Sequence, residues 1–84
     1  MPTPYRYVVD QTADEAVATM PRREQRMLRD YFRFIAEHPF TRGDEEAADA
    51  DTRLNQVKAH GRYVVTYRAD HATSKVNIAA VELL

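Results

Sequence analysis

Near residue 52 the chain changes its period, and that switch constrains the fold more than any other feature. Upstream, Met27, Leu28, Tyr31, Phe32 and Ile35 recur at the 3,4 spacing that lines one side of a helix. Pro21 suits the first turn of that helix, where its missing N–H costs nothing. His38-Pro39 stops it, because the residue before proline avoids the helical region. The spacing therefore predicts a helix from about Pro21 to Glu37. Downstream the period is two: Tyr63, Val65, Tyr67 and Ala69 share one face of a strand, and Arg62, Val64, Thr66 and Arg68 share the other. A helix with one apolar stripe and a strand with one apolar face must bury those surfaces against each other.

The remaining elements are read the same way. Residues 5–10 predict a first strand, with Tyr5, Tyr7 and Val9 on one face. Thr12 and Glu15 have the spacing of a capping box, opening a short helix with Ala13, Ala16, Val17 and Met20 on its apolar side. Residues 39–51 hold Pro39, Gly43 and an acidic run without periodicity, and read as a long loop. Arg53 to Ala59 is a strand of imperfect alternation, perturbed as by a bulge. His60-Gly61 makes a turn, and residues 70–74 a polar hairpin loop. Lys75 to Val81 is the last strand, with Val76, Ile78 and Ala80 inward. The order β-α-α-β-β-β predicts an α+β fold: a helical hairpin packed on one face of an antiparallel sheet, the first strand at an edge or beside the last.

Eighty-four residues make one domain, here residues 1–84 with an acidic loop at about 40–51. The absence of cysteine excludes disulfides, thiolate metal sites and a cysteine nucleophile. No histidine spacing suggests a metal site, and no glycine-rich phosphate loop is present, so no cofactor is expected. With neither a signal-peptide pattern nor a long apolar run, the expectation is a cytoplasmic protein with no membrane role. The net charge of −1 is an average over unlike parts. Residues 44–51 carry −5 in eight positions, and the other 76 residues hold 12 basic against 8 acidic groups. A mildly basic body carries an acidic segment, which reads as a solvated loop or as a mimic of an anionic substrate.

The run Gly61-Arg62-Tyr63-Val64-Val65-Thr66-Tyr67-Arg68-Ala69-Asp70, followed by Lys75-Val76-Asn77-Ile78-Ala79-Ala80-Val81, resembles the RelE/ParE toxin superfamily. The element order and the His38-Pro39…Gly43 loop fit as well, so the resemblance spans about residues 5–82. It implies a toxin neutralised by a partner antitoxin. RelE-type members cleave messenger RNA on the ribosome, using basic groups on the open sheet face. ParE-type members inhibit DNA gyrase. This chain departs from the RelE pattern at Val64, which stands where the family has an arginine. No counterpart of the tyrosine-bearing C-terminal helix of some RelE-type sites follows the last strand. Two functions therefore stay open: an mRNA interferase (endoribonuclease) toxin that inhibits growth, or a non-enzymatic binding module. The second is either a gyrase inhibitor or an inactive partner-binding member. A homodimer formed through an exposed sheet edge is a third reading.

Lys58 and Arg62 are the candidate phosphate contacts under the resemblance, and His60, beside the turn glycine, is a candidate general base. With the right registry, some of Arg53, Lys58, Arg62 and Arg68 would gather on one open sheet face beside Thr66 and Asn77. The alternative is edge charge that discourages aggregation. Arg22, Arg26, Arg29 and Arg33 lie within about 60° of one another on the helix face opposite the core stripe. They read as RNA-binding or partner-binding groups, or as a solvated face. His38 and His71 fall in loops, and Tyr63 and Tyr67 point inward.

Overall fold

A computed structural model of the chain describes residues 4–48 and 53–84. The elements are β1 (Arg6–Val9), α1 (Gln11–Ala18), α2 (Arg22–Glu37), β2 (Glu45–Ala48), β3 (Leu54–His60), β4 (Tyr63–Asp70) and β5 (Lys75–Leu83). The strands form one sheet in the order β1-β5-β4-β3-β2. Both helices pack on one face of it, as the change of period requires. The sheet is mixed: β1 runs parallel to β5, and the other pairs are antiparallel. No helix among the described residues is long and apolar enough to cross a membrane.

The core lies between the helices and strands β4 and β5. Leu28, Phe32 and Ile35 of α2 meet Val65, Tyr67, Val76 and Ile78, with Ala13 and Val17 of α1 closing one side. Tyr5, Tyr7 and Val9 pack against its margin, as their shared face predicts.

Several local expectations need correction. Residues 45–48, read as part of a loop, form an exposed edge strand paired with β3, while residues 49–51 of the acidic run lie outside the described residues. Backbone contacts that no local pattern announces produce this strand. The Asp44 N–H donates to the Val57 carbonyl (2.8 Å), and the Gly43 N–H to Gln56 Oε1 (2.8 Å). Thr12 is not a cap. Helix α1 begins at Gln11 with Asp10 at the N-cap and no capping side chain, and Glu15 accepts instead from Gln11 (3.2 Å). Pro21 sits at the N-cap of α2, one residue before the first turn. In β5 the inward position after Ile78 is Val81, not Ala80. The register with β4 shifts between Thr66 and Tyr67, so Ala79 is an extra residue and the alternation restarts one place later.

The β3–β4 connection is a two-residue turn at Gly61-Arg62 and not at His60-Gly61 as the sequence suggests, because His60 ends β3 and pairs with Tyr63. Gly61 takes φ +61°, the left-handed value that such hairpin turns demand.

Candidate functional site

Pairing with β4 determines which way the β3 side chains face. Val57 lies opposite Thr66 and Ala59 opposite Val64, so odd-numbered β3 residues share the open face with Val64, Thr66 and Arg68. Gln56, Lys58 and His60 lie opposite Tyr67, Val65 and Tyr63 and therefore face the helices. Of the four basic residues, Lys58 and Arg62 do not reach the open face, while Arg53 and Arg68 share it. With Asn55, Asn77, Ala79 and Asp10 they line a shallow cavity of about 320 Å³ on the open face. The cavity offers two guanidiniums and two carboxamides, tempered by one carboxylate. That set suits an anionic group with hydrogen-bonding edges, such as a phosphate next to a sugar or base. Thr66, the other polar group expected there, lies one row away between Val57 and Ala80. The row through Val64 reads Ala59, Val64, Glu82 and holds no cation.

Arg62 turns away from this face. Its Nη1 lies 3.4 Å from Glu24 Oε1 at the start of α2, and the same carboxylate accepts from the Tyr63 hydroxyl. That hydrogen bond, with some desolvation, pushes the Tyr63 hydroxyl above its ordinary pKa of 10.0.

Lys58 and His60 occupy a second region, where α2 leaves β3 partly uncovered. Lys58 Nζ pairs with Asp44 Oδ1 at 2.9 Å, and Asp44 Oδ2 accepts from the Ala59 N–H at 3.0 Å. These two hydrogen bonds hold the Asp44 carboxyl below its ordinary 3.8. His60, the candidate general base, is half-buried. Its ring stacks on Tyr31 with centroids 4.0 Å apart and planes 11° from parallel. Burial first, then the charge of Lys58, lowers its pKa from the ordinary 6.5, which favours the neutral imidazole. Tyr31 also stacks with Phe34, and Phe34 lies 4.5 Å from the His38 ring. The Tyr31 hydroxyl is buried without a hydrogen-bond partner among the described residues. Burial, with the nearby Tyr67 hydroxyl and Asp44 carboxylate, pushes it far above its ordinary 10.0.

A third grouping lies at the far end of the sheet. Phe40 stacks on His71, and the Tyr5 hydroxyl is hydrogen-bonded to His71 Nδ1 at 2.7 Å. The periodicity arguments passed over both residues because loops carry none. Four arginines of α2, Arg22, Arg26, Arg29 and Arg33, line one shallow groove with Gln25 and Asp30, as the helical wheel predicts. Arg33 pairs with Asp30 at 3.4 Å, both well exposed, so the pair adds little stability. Among the described residues no three histidine, aspartate or glutamate side chains gather as a metal site.

No protein-family model matches the sequence. No curated protein matches it either. Solved structures do. The chain superimposes on one from the RelBE2 toxin–antitoxin complex of Mycobacterium tuberculosis with a TM-score of 0.75 and 18% identity, covering 98% of this chain and 100% of the other. For the archaeal RelE–RelB complex of Pyrococcus horikoshii OT3 the TM-score is 0.77 with 14% identity, over 96% of each chain. The fold is RelE-like.

Proposed function

We propose that the chain is the toxin component of a type II toxin–antitoxin pair, and that it engages single-stranded RNA on the open face of its sheet. The observation that carries this reading is the open-face cavity between Arg53 and Arg68, flanked by Asn55 and Asn77. The shared fold with chains from toxin–antitoxin complexes supports a protein antitoxin as partner. Arginine pairs grip phosphate by forked hydrogen bonds, and neighbouring carboxamides can read sugar or base edges. Messenger RNA on the ribosome is the target class that the resemblance to RelE-type toxins suggests, and growth inhibition is the expected outcome.

A non-enzymatic mode has its own supporting observation. Cleavage through a ribose 2′-OH needs a cation at the phosphoryl group and groups to accept and donate a proton. In the row through Val64 the side chains are Ala59, Val64 and Glu82, which supply no cation for the phosphoryl group. Lys58 and His60 face the helices, and Arg62 is engaged by Glu24. Binding that blocks a target, ribosomal or gyrase, therefore stands beside cleavage as the second reading.

Expression of the chain alone in bacteria tests both. Growth arrest with new messenger RNA 5′ ends, lost in Arg53→Ala/Arg68→Ala, would support a nuclease. Arrest without new ends, with intact RNA binding or with inhibited gyrase supercoiling, would support the binding mode. Absence of arrest in an antitoxin-free host would overturn the toxin reading.

A further inference from the structure

Phe40 is 78% exposed, the most exposed of the large apolar side chains among the described residues, yet its ring is held in place. One face lies on the His71 imidazole, centroids 4.7 Å apart and planes 11° from parallel. His71 is in turn fixed by the Tyr5 hydroxyl, and its ring meets Tyr5 edge-on at 5.6 Å. Three segments distant in sequence thus converge to hold one aromatic ring flat with its other face in solvent. The cavity beside it, about 230 Å³, is largely polar, with Arg42, Gln56 and Tyr67 among its lining residues. Arg68 borders both this cavity and the open-face cavity around Arg53.

We propose that Phe40 is a stacking platform for a nucleobase of a single-stranded nucleic acid whose neighbouring phosphate lies at Arg53 and Arg68. Parallel stacking on a buttressed ring is how sequence-tolerant single-strand sites hold bases, and cations beside the ring hold the backbone. Leu54 and Pro39 also line the cavity, but its guanidinium and carboxamide groups, Arg42, Arg68 and Gln56, suit a base with its backbone phosphate better than a wholly apolar protein anchor. Glu46, also at the cavity edge, disfavours a phosphate there and places the backbone on the Arg68 side. The inference rests on the RNA reading above and adds to it a base site outside the sheet face.

The chain contains no tryptophan, so Phe40→Trp places a single fluorescent reporter at the platform. The probes are a single-stranded heptaribonucleotide and the same backbone with abasic positions. The platform requires quenching of the introduced indole's fluorescence by the first and not by the second. It also requires Phe40→Ala to weaken binding of the intact probe about 5- to 100-fold, with the melting temperature unchanged. Equal quenching by both probes, or undiminished binding by Phe40→Ala, overturns the platform. Binding that falls in Arg53→Ala but not in Phe40→Ala removes the platform and leaves the RNA reading standing. If the wild-type chain binds neither probe, both fall. If Phe40→Ala binds RNA normally but loses a co-expressed antitoxin, the ring is a protein anchor and the proposal is wrong.

Discussion

At Gly43 an added methyl would lie 2.6 Å from the Val57 carbonyl oxygen and 2.9 Å from its carbonyl carbon and amide nitrogen. Backbone cannot yield as a flexible side chain does, so the whole approach of β2 to β3 depends on hydrogen at that position. Gly43→Ala should cost about 1–3 kcal/mol, read as a lower denaturant midpoint, with loss of amide protection at Asp44. At Gly61 the limit is conformational as well as steric. With φ at +61° and the Met27 methyl 3.3 Å from a built Cβ, Gly61→Ala should cost about 1–2 kcal/mol. Sequence inspection marks Gly61 as a turn residue between two strands. It offers nothing comparable for Gly43, whose constraint comes from a strand remote in the chain.

Among the elements, α2 was the most legible. Leu28, Tyr31, Phe32 and Ile35 are buried and Met27 half-buried, because helical periodicity is a local property that tertiary packing only has to accept. Truncation along that stripe should be severe: Ile35→Ala should lose about 2–5 kcal/mol and Ile35→Val about 0.5–1.5 kcal/mol in equilibrium unfolding. Strand β3 was the least legible. Its alternation is weak, and its facing depends on the register with β4, where a one-residue slip would move Lys58 and His60 to the open side. Their observed position has a pH signature. His60 has its folded pKa depressed below 6.5, so near and below that value the unfolded chain binds the proton more readily. Its contribution is therefore complete above pH 6.5 and is lost as pH falls. Asp44, also depressed, adds a loss of the same sign in the more acidic range below 3.8. His60→Gln should flatten the stability profile just below pH 6.5, measured by urea unfolding across that range, and leave the acid limb in place.

For the whole molecule, the net charge of −1 says little, because the charge is segregated. Part of the acidic segment lies on the β2 edge, where Glu45 and Glu46 discourage pairing with another sheet. Four arginines line the α2 groove and two the open-face cavity. If RNA is held at the cavity, log K against log salt should lose about 0.7 of slope for each phosphate contact removed. Arg68→Ala should show that loss, and Arg29→Ala should leave the slope unchanged. Titration of the labelled heptaribonucleotide at several salt concentrations distinguishes the two surfaces.

By itself the sequence determined the two-layer α+β character, the core stripe of α2, the inward face of β4 and the arginine row. Each of these follows from side-chain periodicity within one element. Only the tertiary structure decided that β1 joins parallel to β5, that the acidic segment supplies an edge strand, and that Ala79 restarts the alternation of β5. It also decided that Arg53 and Arg68 meet while Lys58, His60 and Arg62 turn elsewhere. The physical reason is common to all of these: they depend on how strands register against each other, through backbone hydrogen bonds whose partners lie far apart in the chain. Every residue carries the same donor and acceptor, so no side-chain pattern records which pairs will form.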